Sequence, residues 1–86
     1  MEVWFHGTFE QFAARKRVVD LAAGASLGDL IDRLGEEYGP KFTRELARPR
    51  ENYIMLNGTY CKLPVNREQP LKQDDVVAFI PIMAGG

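Results

Sequence analysis

One amphipathic helix sets the terms for this chain. Leu27, Leu30, Ile31, Leu34 and Tyr38 recur at i, i+3, i+4, i+7 and i+11, which makes a single apolar stripe. Ser26 is a good N-cap, and Asp29 at the third helical position completes a near capping box. Asp29, Asp32, Arg33, Glu36 and Glu37 fall outside the stripe and read as a solvated face. Gly39-Pro40 ends the helix, because proline cannot continue it. A helix with one apolar face must bury that face against a second layer. With 86 residues in all, the chain has room for one domain and one modest core.

The remaining segments supply strands. Residues 2–6 read Glu-Val-Trp-Phe-His, with Val3 and Phe5 alternating against Glu2, Trp4 and His6. Gly7 to Ala14 reads as a turn or irregular connection, and Arg15-Lys16-Arg17 as a solvated hairpin end. Val18, Val19 and Leu21 predict a second strand antiparallel to the first, and Ala22 to Ala25 a loop. Residues 41–47 fit one short helical turn, followed by a loop at Arg48-Pro49-Arg50. Tyr53-Ile54-Met55-Leu56 is a strand, and Asn57-Gly58 is a strong signal for a type I′ turn, which needs positive φ at both positions. Thr59 to Leu63 is the returning strand, Pro64 to Lys72 a loop and Gln73-Asp74-Asp75 a turn. Val76 to Ile80 is almost continuously apolar, as a central strand should be, and Pro81 stops it. The order strand–strand–helix–strand–strand–strand predicts a two-layer α+β domain, a mixed sheet of about five strands on one main helix. With the first and last strands side by side at the centre, the arrangement resembles the β-grasp of ubiquitin.

Composition narrows the function classes. Eleven basic and twelve acidic residues leave a formal charge of −1, with no basic excess for nucleic acid. No apolar run approaches the ~20 residues that span a bilayer. The start, Met1-Glu2-Val3-Trp4-Phe5, lacks the pattern of a signal peptide, so the expected location is the cytoplasm. The single Cys61 excludes an internal disulfide and a four-cysteine cluster, and reads as a small apolar filler. The single His6 has no visible triad, and no phosphate loop or metal-spaced His/Glu pair occurs. The chain is not equipped to run chemistry alone.

The informative segment is the end. Ala84-Gly85-Gly86 offers no side-chain chemistry, and glycine can enter slots that a Cβ would block. Such an end suits threading into another protein's active site, with the Gly86 carboxylate as the working group. A frayed terminus is the plain alternative. Residues 1–81 then form the domain and 82–86 a flexible tail. From Pro81 to Gly86 the extended tail reaches roughly 20 Å.

Leu71-Lys72-Gln73-Asp74-Asp75-Val76-Val77-Ala78-Phe79-Ile80-Pro81-Ile82-Met83-Ala84-Gly85-Gly86 resembles the C-terminus of the MoaD/ThiS sulfur carriers, in which an acidic turn, a Val-Ala-Phe strand and a proline precede a terminal diglycine. The family's usual glycine in the acidic turn is Gln73 or Asp74 here, and Pro81-Ile82 stands for the common Pro-Pro. Length and the phenylalanine strand resemble MoaD more than the shorter ThiS. The resemblance implies that a ubiquitin-activating-like adenylyltransferase of the MoeB/ThiF kind uses ATP to adenylate Gly86. A sulfur donor then displaces AMP to leave a thiocarboxylate. It implies a MoaE-like large subunit of molybdopterin synthase as the next partner, and no cofactor bound to the chain itself. Alternation places Trp4, His6, Ala78 and Ile80 on the sheet face away from the helix, opposite Val3, Phe5, Val77 and Phe79. The expected partner-binding residues are His6, Tyr60, Ile80, Pro81, Ile82, Met83 and Ala84, with Gly85 and Gly86 at the reacting end. A ubiquitin-like modifier joined to lysines through Gly86, a ThiS-like carrier for a pathway such as thiamine synthesis, and a regulatory β-grasp domain with an inert tail remain as alternatives.

Overall fold

The computed structural model describes residues 1–12, 15–47, 52–62 and 66–81. Helix α1 spans Leu27–Tyr38, as the stripe predicts, and buries Leu27, Leu30, Ile31 and Leu34. The Ser26 side chain accepts from the Asp29 amide at 3.2 Å, and the Asp29 carboxylate accepts from the Ser26 amide at 2.9 Å. Two otherwise orphaned N–H groups are thereby satisfied. Gly39 ends the helix at φ 83°, a left-handed conformation that glycine adopts without penalty. Pro40 then opens a second helix, α2 (Pro40–Leu46), where its missing N–H costs nothing.

The strands are β1 (Glu2–Phe5), β2 (Lys16–Val18), β3 (Asn52–Leu56), β4 (Thr59–Lys62) and β5 (Val76–Pro81). They form one mixed sheet in the order β2-β1-β5-β3-β4. The apolar β5 is therefore central; it runs parallel to β1 and antiparallel to β3. Asn57 and Gly58 turn β3 into β4 with φ of 50° and 82°, the positive pair that a type I′ hairpin requires.

Both helices lie on one face, over a core of Val3, Phe5, Ile54, Val77 and Phe79 from the sheet and Leu27, Leu30, Leu34, Phe42 and Leu46 from the helices. Aromatic rings hold the end of the core near the close of β5. Phe79 lies 5.7 Å from Phe9 and 5.5 Å from Phe42, and Phe9 and Phe42 are 6.0 Å apart.

Two expectations need correction. The second strand is Lys16–Val18, not Val18 to Leu21. Its register pairs Val3 with Arg17 and Glu2 with Val18, so Val18 turns outward and is 67% exposed. Val19, just past the strand, is the buried residue, and its amide donates to the Met1 carbonyl at 2.9 Å. Arg17 consequently sits on the helix side, bound to Glu37 through both guanidinium nitrogens and to the Tyr38 hydroxyl at 2.7 Å. The Arg17 hydrogen bond holds the Glu37 carboxyl below its ordinary range. Of the basic run, Lys16 and Arg17 belong to β2 and Arg17 alone reaches back to α1, while Arg15 and Lys16 stay exposed.

The connection after β1 is also more ordered than expected. Gly7–Gln11 is a 3-10 helix that drives Phe9 fully into the core. The signal for it was Phe9 and Phe12 at i, i+3, the spacing that eclipses on a 3-10 turn.

Candidate functional site

Period-two alternation leaves the sheet face opposite the helices open. Cross-strand pairing assembles one continuous row over all five strands: Lys16 beside Trp4, Trp4 beside Ala78, Ala78 beside Met55 and Met55 beside Tyr60. Paired residues point to the same face, so these side chains form a single surface. Tyr60 is 52% exposed, and Trp4, Ala78 and Met55 are half-buried. His6 and Ile80 extend the surface toward the end of β5, and both are half-buried. Trp4 and His6 lie with their rings nearly parallel, 9° apart in orientation and 6.3 Å between centroids.

Lys16 organises one edge of this surface. Its ammonium lies 5.5 Å from the centroid of the Trp4 ring and 3.4 Å from the Glu2 carboxylate. Glu2 also accepts from the Trp4 indole N–H at 3.3 Å. The Trp4 ring is thus held from above by a cation and along its edge by an anion. Alternation already set Glu2 on the side of Trp4 and His6, but sequence reading missed Lys16 and Met55 on this face. Met55 was findable, since it alternates with the buried Ile54 and the core-packed Leu56. Lys16 was hidden by the misplaced second strand.

Of the expected partner-binding residues, the structure brings His6, Tyr60 and Ile80 to one face. Pro81 closes β5 opposite Asn52. Ile82, Met83, Ala84, Gly85 and Gly86 lie outside the described residues. Cys61 pairs with Ile54 on the helix side and packs against the core, as a filler does. Among the described residues no group of three His, Cys, Asp or Glu is placed to hold a metal ion. Nor is any helix among them long and apolar enough to cross a membrane.

The start of β5 is clamped to the hairpin. The Asn57 side chain donates to Asp75 at 2.8 Å and accepts from the Val76 amide at 2.8 Å. Asp75 accepts in turn from the Lys72 amide at 2.7 Å, and its own carbonyl receives the Glu2 amide at 3.1 Å. The bonds from Asn57 and Lys72 hold the Asp75 carboxyl below its ordinary range. With Asp75 tied to β1 and Val76 to the Asn57 turn, β5 delivers its last residue at the opposite end of the sheet. A cleft of about 330 Å³ lined by Met1, Val19, Leu21, Leu71 and Lys72 lies at the start of β5, away from that point.

A mixed sheet with parallel first and last strands, helices on one face and an apolar opposite face defines a ubiquitin-like β-grasp protein. The chain belongs to the ThiS family, whose model matches residues 3–86. SAMP1 from Haloferax volcanii superposes with a TM-score of 0.76 at 20% identity, over 99% of this chain and 97% of that one. The small archaeal modifier protein 1 from Methanosarcina acetivorans superposes with a TM-score of 0.72 at 18% identity, over 99% and 94%. A putative molybdopterin converting factor subunit 1 from Pyrococcus furiosus gives a TM-score of 0.68 at 25% identity, over 94% of both chains. No curated protein sequence matches the chain significantly. The first two likenesses speak to fold alone.

Proposed function

We propose that the chain is a sulfur carrier whose Gly86 carboxylate becomes a thiocarboxylate for the synthesis of molybdopterin. The observation that carries this reading is that the family match runs through Gly85-Gly86 itself. The likeness to a molybdopterin converting factor subunit supports the choice of product. The fold supports it as well, since β5 leads toward the diglycine from a sheet whose apolar face is open.

The chemistry follows from the groups involved. A carboxylate is a poor electrophile. An adenylating partner joins Gly86 to the α-phosphate of ATP and releases pyrophosphate, which converts the carboxylate oxygen into part of a good leaving group. Sulfide attacks the acyl carbon, the C–O bond to AMP breaks, and the C-terminal thiocarboxylate and AMP result. The carrier brings no acid or base of its own to these steps. Its contribution is position: Trp4, His6, Ala78, Ile80 and Tyr60 dock on the partner while the residues after Pro81 enter its active site. A MoaE-like large subunit then receives the sulfur-bearing end.

Intact mass after incubation with an adenylating enzyme, ATP and sulfide tests the proposal. A gain equal to one sulfur-for-oxygen exchange, absent in a chain lacking Gly86, is the expected result. Adducts linked to lysine would move the assignment to a protein modifier. An unchanged mass with a competent enzyme would overturn both.

A further inference from the structure

Lys41 and Arg44 stand apart from the other described cations. Arg15 pairs with Glu10, Lys16 with Glu2, Arg17 and Arg33 with Glu37, and Arg67 with Asp32. Lys72 sits in the field of Asp75. Among the described residues Lys41 and Arg44 form no ion pair, and the carboxylate beside them is Glu45 of the same helix. Both are exposed, and three residues apart on α2 they share a helix face. With Gln11 and Glu45 they line one open groove. Its two polar neighbours are already engaged, since Glu45 accepts from the Thr8 hydroxyl at 2.8 Å and the Gln11 amide donates to the Thr8 carbonyl at 2.8 Å.

Helix stability explains one of the two cations but not the other. A cation in the last turn, as Arg44 is, interacts well with the helix dipole. Lys41 follows Pro40 in the first turn, where the dipole disfavours a positive charge.

The groove also has a telling position. Phe42, between the two cations in sequence, is fully buried against Phe79 and Phe9. Phe79 precedes Pro81 by two residues on β5, so the groove flanks the end of the sheet from which the tail departs. The solvent side of α1 carries Asp29, Asp32, Glu36 and Glu37, and Arg17, Arg33 and Arg67 pair with two of these carboxylates.

We infer that the Lys41–Arg44 groove is a second contact site, which engages carboxylate side chains on the rim of the partner pocket that takes up the tail. This rests on the adenylated-tail reading above. An acidic protein surface fits better than nucleic acid, because two cations on a chain without basic excess neutralise too few phosphates for useful affinity. The groove steers the carrier so that the end of the sheet where β5 closes faces the pocket.

The test uses the full chain with an adenylating partner, following pyrophosphate release against carrier concentration at low and high salt. The double variant Lys41→Glu/Arg44→Glu should raise KM about tenfold at low ionic strength, leave kcat unchanged, and converge with the natural chain as salt rises. Lys41→Arg should behave as the natural chain does. Trp4 emission and the unfolding midpoint establish that the variants are folded. An unchanged KM at low salt overturns the inference, as does a loss that salt does not diminish. Competition by inorganic phosphate with the natural chain but not with the double variant also overturns it, because the groove is then a free-anion site. If the natural chain is not adenylated at all, the reading of the tail fails and the groove falls with it. Adenylation of both chains with equal KM sinks the groove alone.

Discussion

Asn57 takes a left-handed backbone that the turn demands and spends its side chain on Asp75 and Val76. The Asp75 carboxylate then collects bonds from Asn57 and Lys72, which favour its charged form over the neutral one. Its pKa is lower folded than unfolded. The associated stability is therefore present above the usual aspartate value near ~3.9 and is lost as pH falls below it, through the folded value. Urea denaturation of Asp75→Asn beside the natural chain checks this. The gap in unfolding free energy should be widest near neutral pH and should shrink steadily as pH drops below about 4. A gap that stays constant with pH would mean that the charge of Asp75 contributes nothing. Lys16 shows how one residue can be legible in type and not in role: a lysine in a basic run says little until a register sets it over Trp4.

At the scale of elements, α1 depends on a close approach that its own sequence does not announce. The Gly28 amide donates to the Arg67 carbonyl at 2.9 Å, and a Cβ on Gly28 would stand 2.9 Å from both that oxygen and the Arg67 Cβ. Alanine normally favours a helix over glycine by ~1 kcal/mol. Here Gly28→Ala should destabilise by about 1–2 kcal/mol instead, because backbone must move to admit the methyl. A raised midpoint in thermal unfolding would refute this. Helix α1 and the Asn57-Gly58 turn were legible because their signals are local: a 3.6-residue stripe with a cap, and two residues that tolerate positive φ. The place of β2 was not. Val18, Val19 and Leu21 look more strand-like than Lys16 and Arg17, but pairing with Val3 selects the latter. A three-residue edge strand has too little sequence to state its own register.

For the whole molecule, the open face is the feature on which binding turns. Ile80 lies on it, next to the last residue of the central strand β5, so Ile80→Asp should weaken partner binding by roughly 2 kcal/mol or more while leaving the fold in place. Trp4 is the only tryptophan and lies on the same face, so its emission should shift to the blue when the partner docks. Titration of labelled partner against both chains measures the two effects, and equal affinity for Ile80→Asp would move docking off this face. The layers follow from the amino-acid pattern alone, since one helical stripe and several alternating segments can bury their apolar sides in few other ways. It also determined which side of β1 and β5 faces the helices, because alternation has a period of two whatever the neighbours are. Which residues stand side by side across the sheet is settled by the folded arrangement of the strands. The row from Lys16 to Tyr60, the clamp from Asn57 to Asp75, and the groove in which Gln11 meets Lys41 and Arg44 all join residues from separate elements. Such meetings depend on register and helix docking, which are set by the collective packing of the core and leave no mark at any single position.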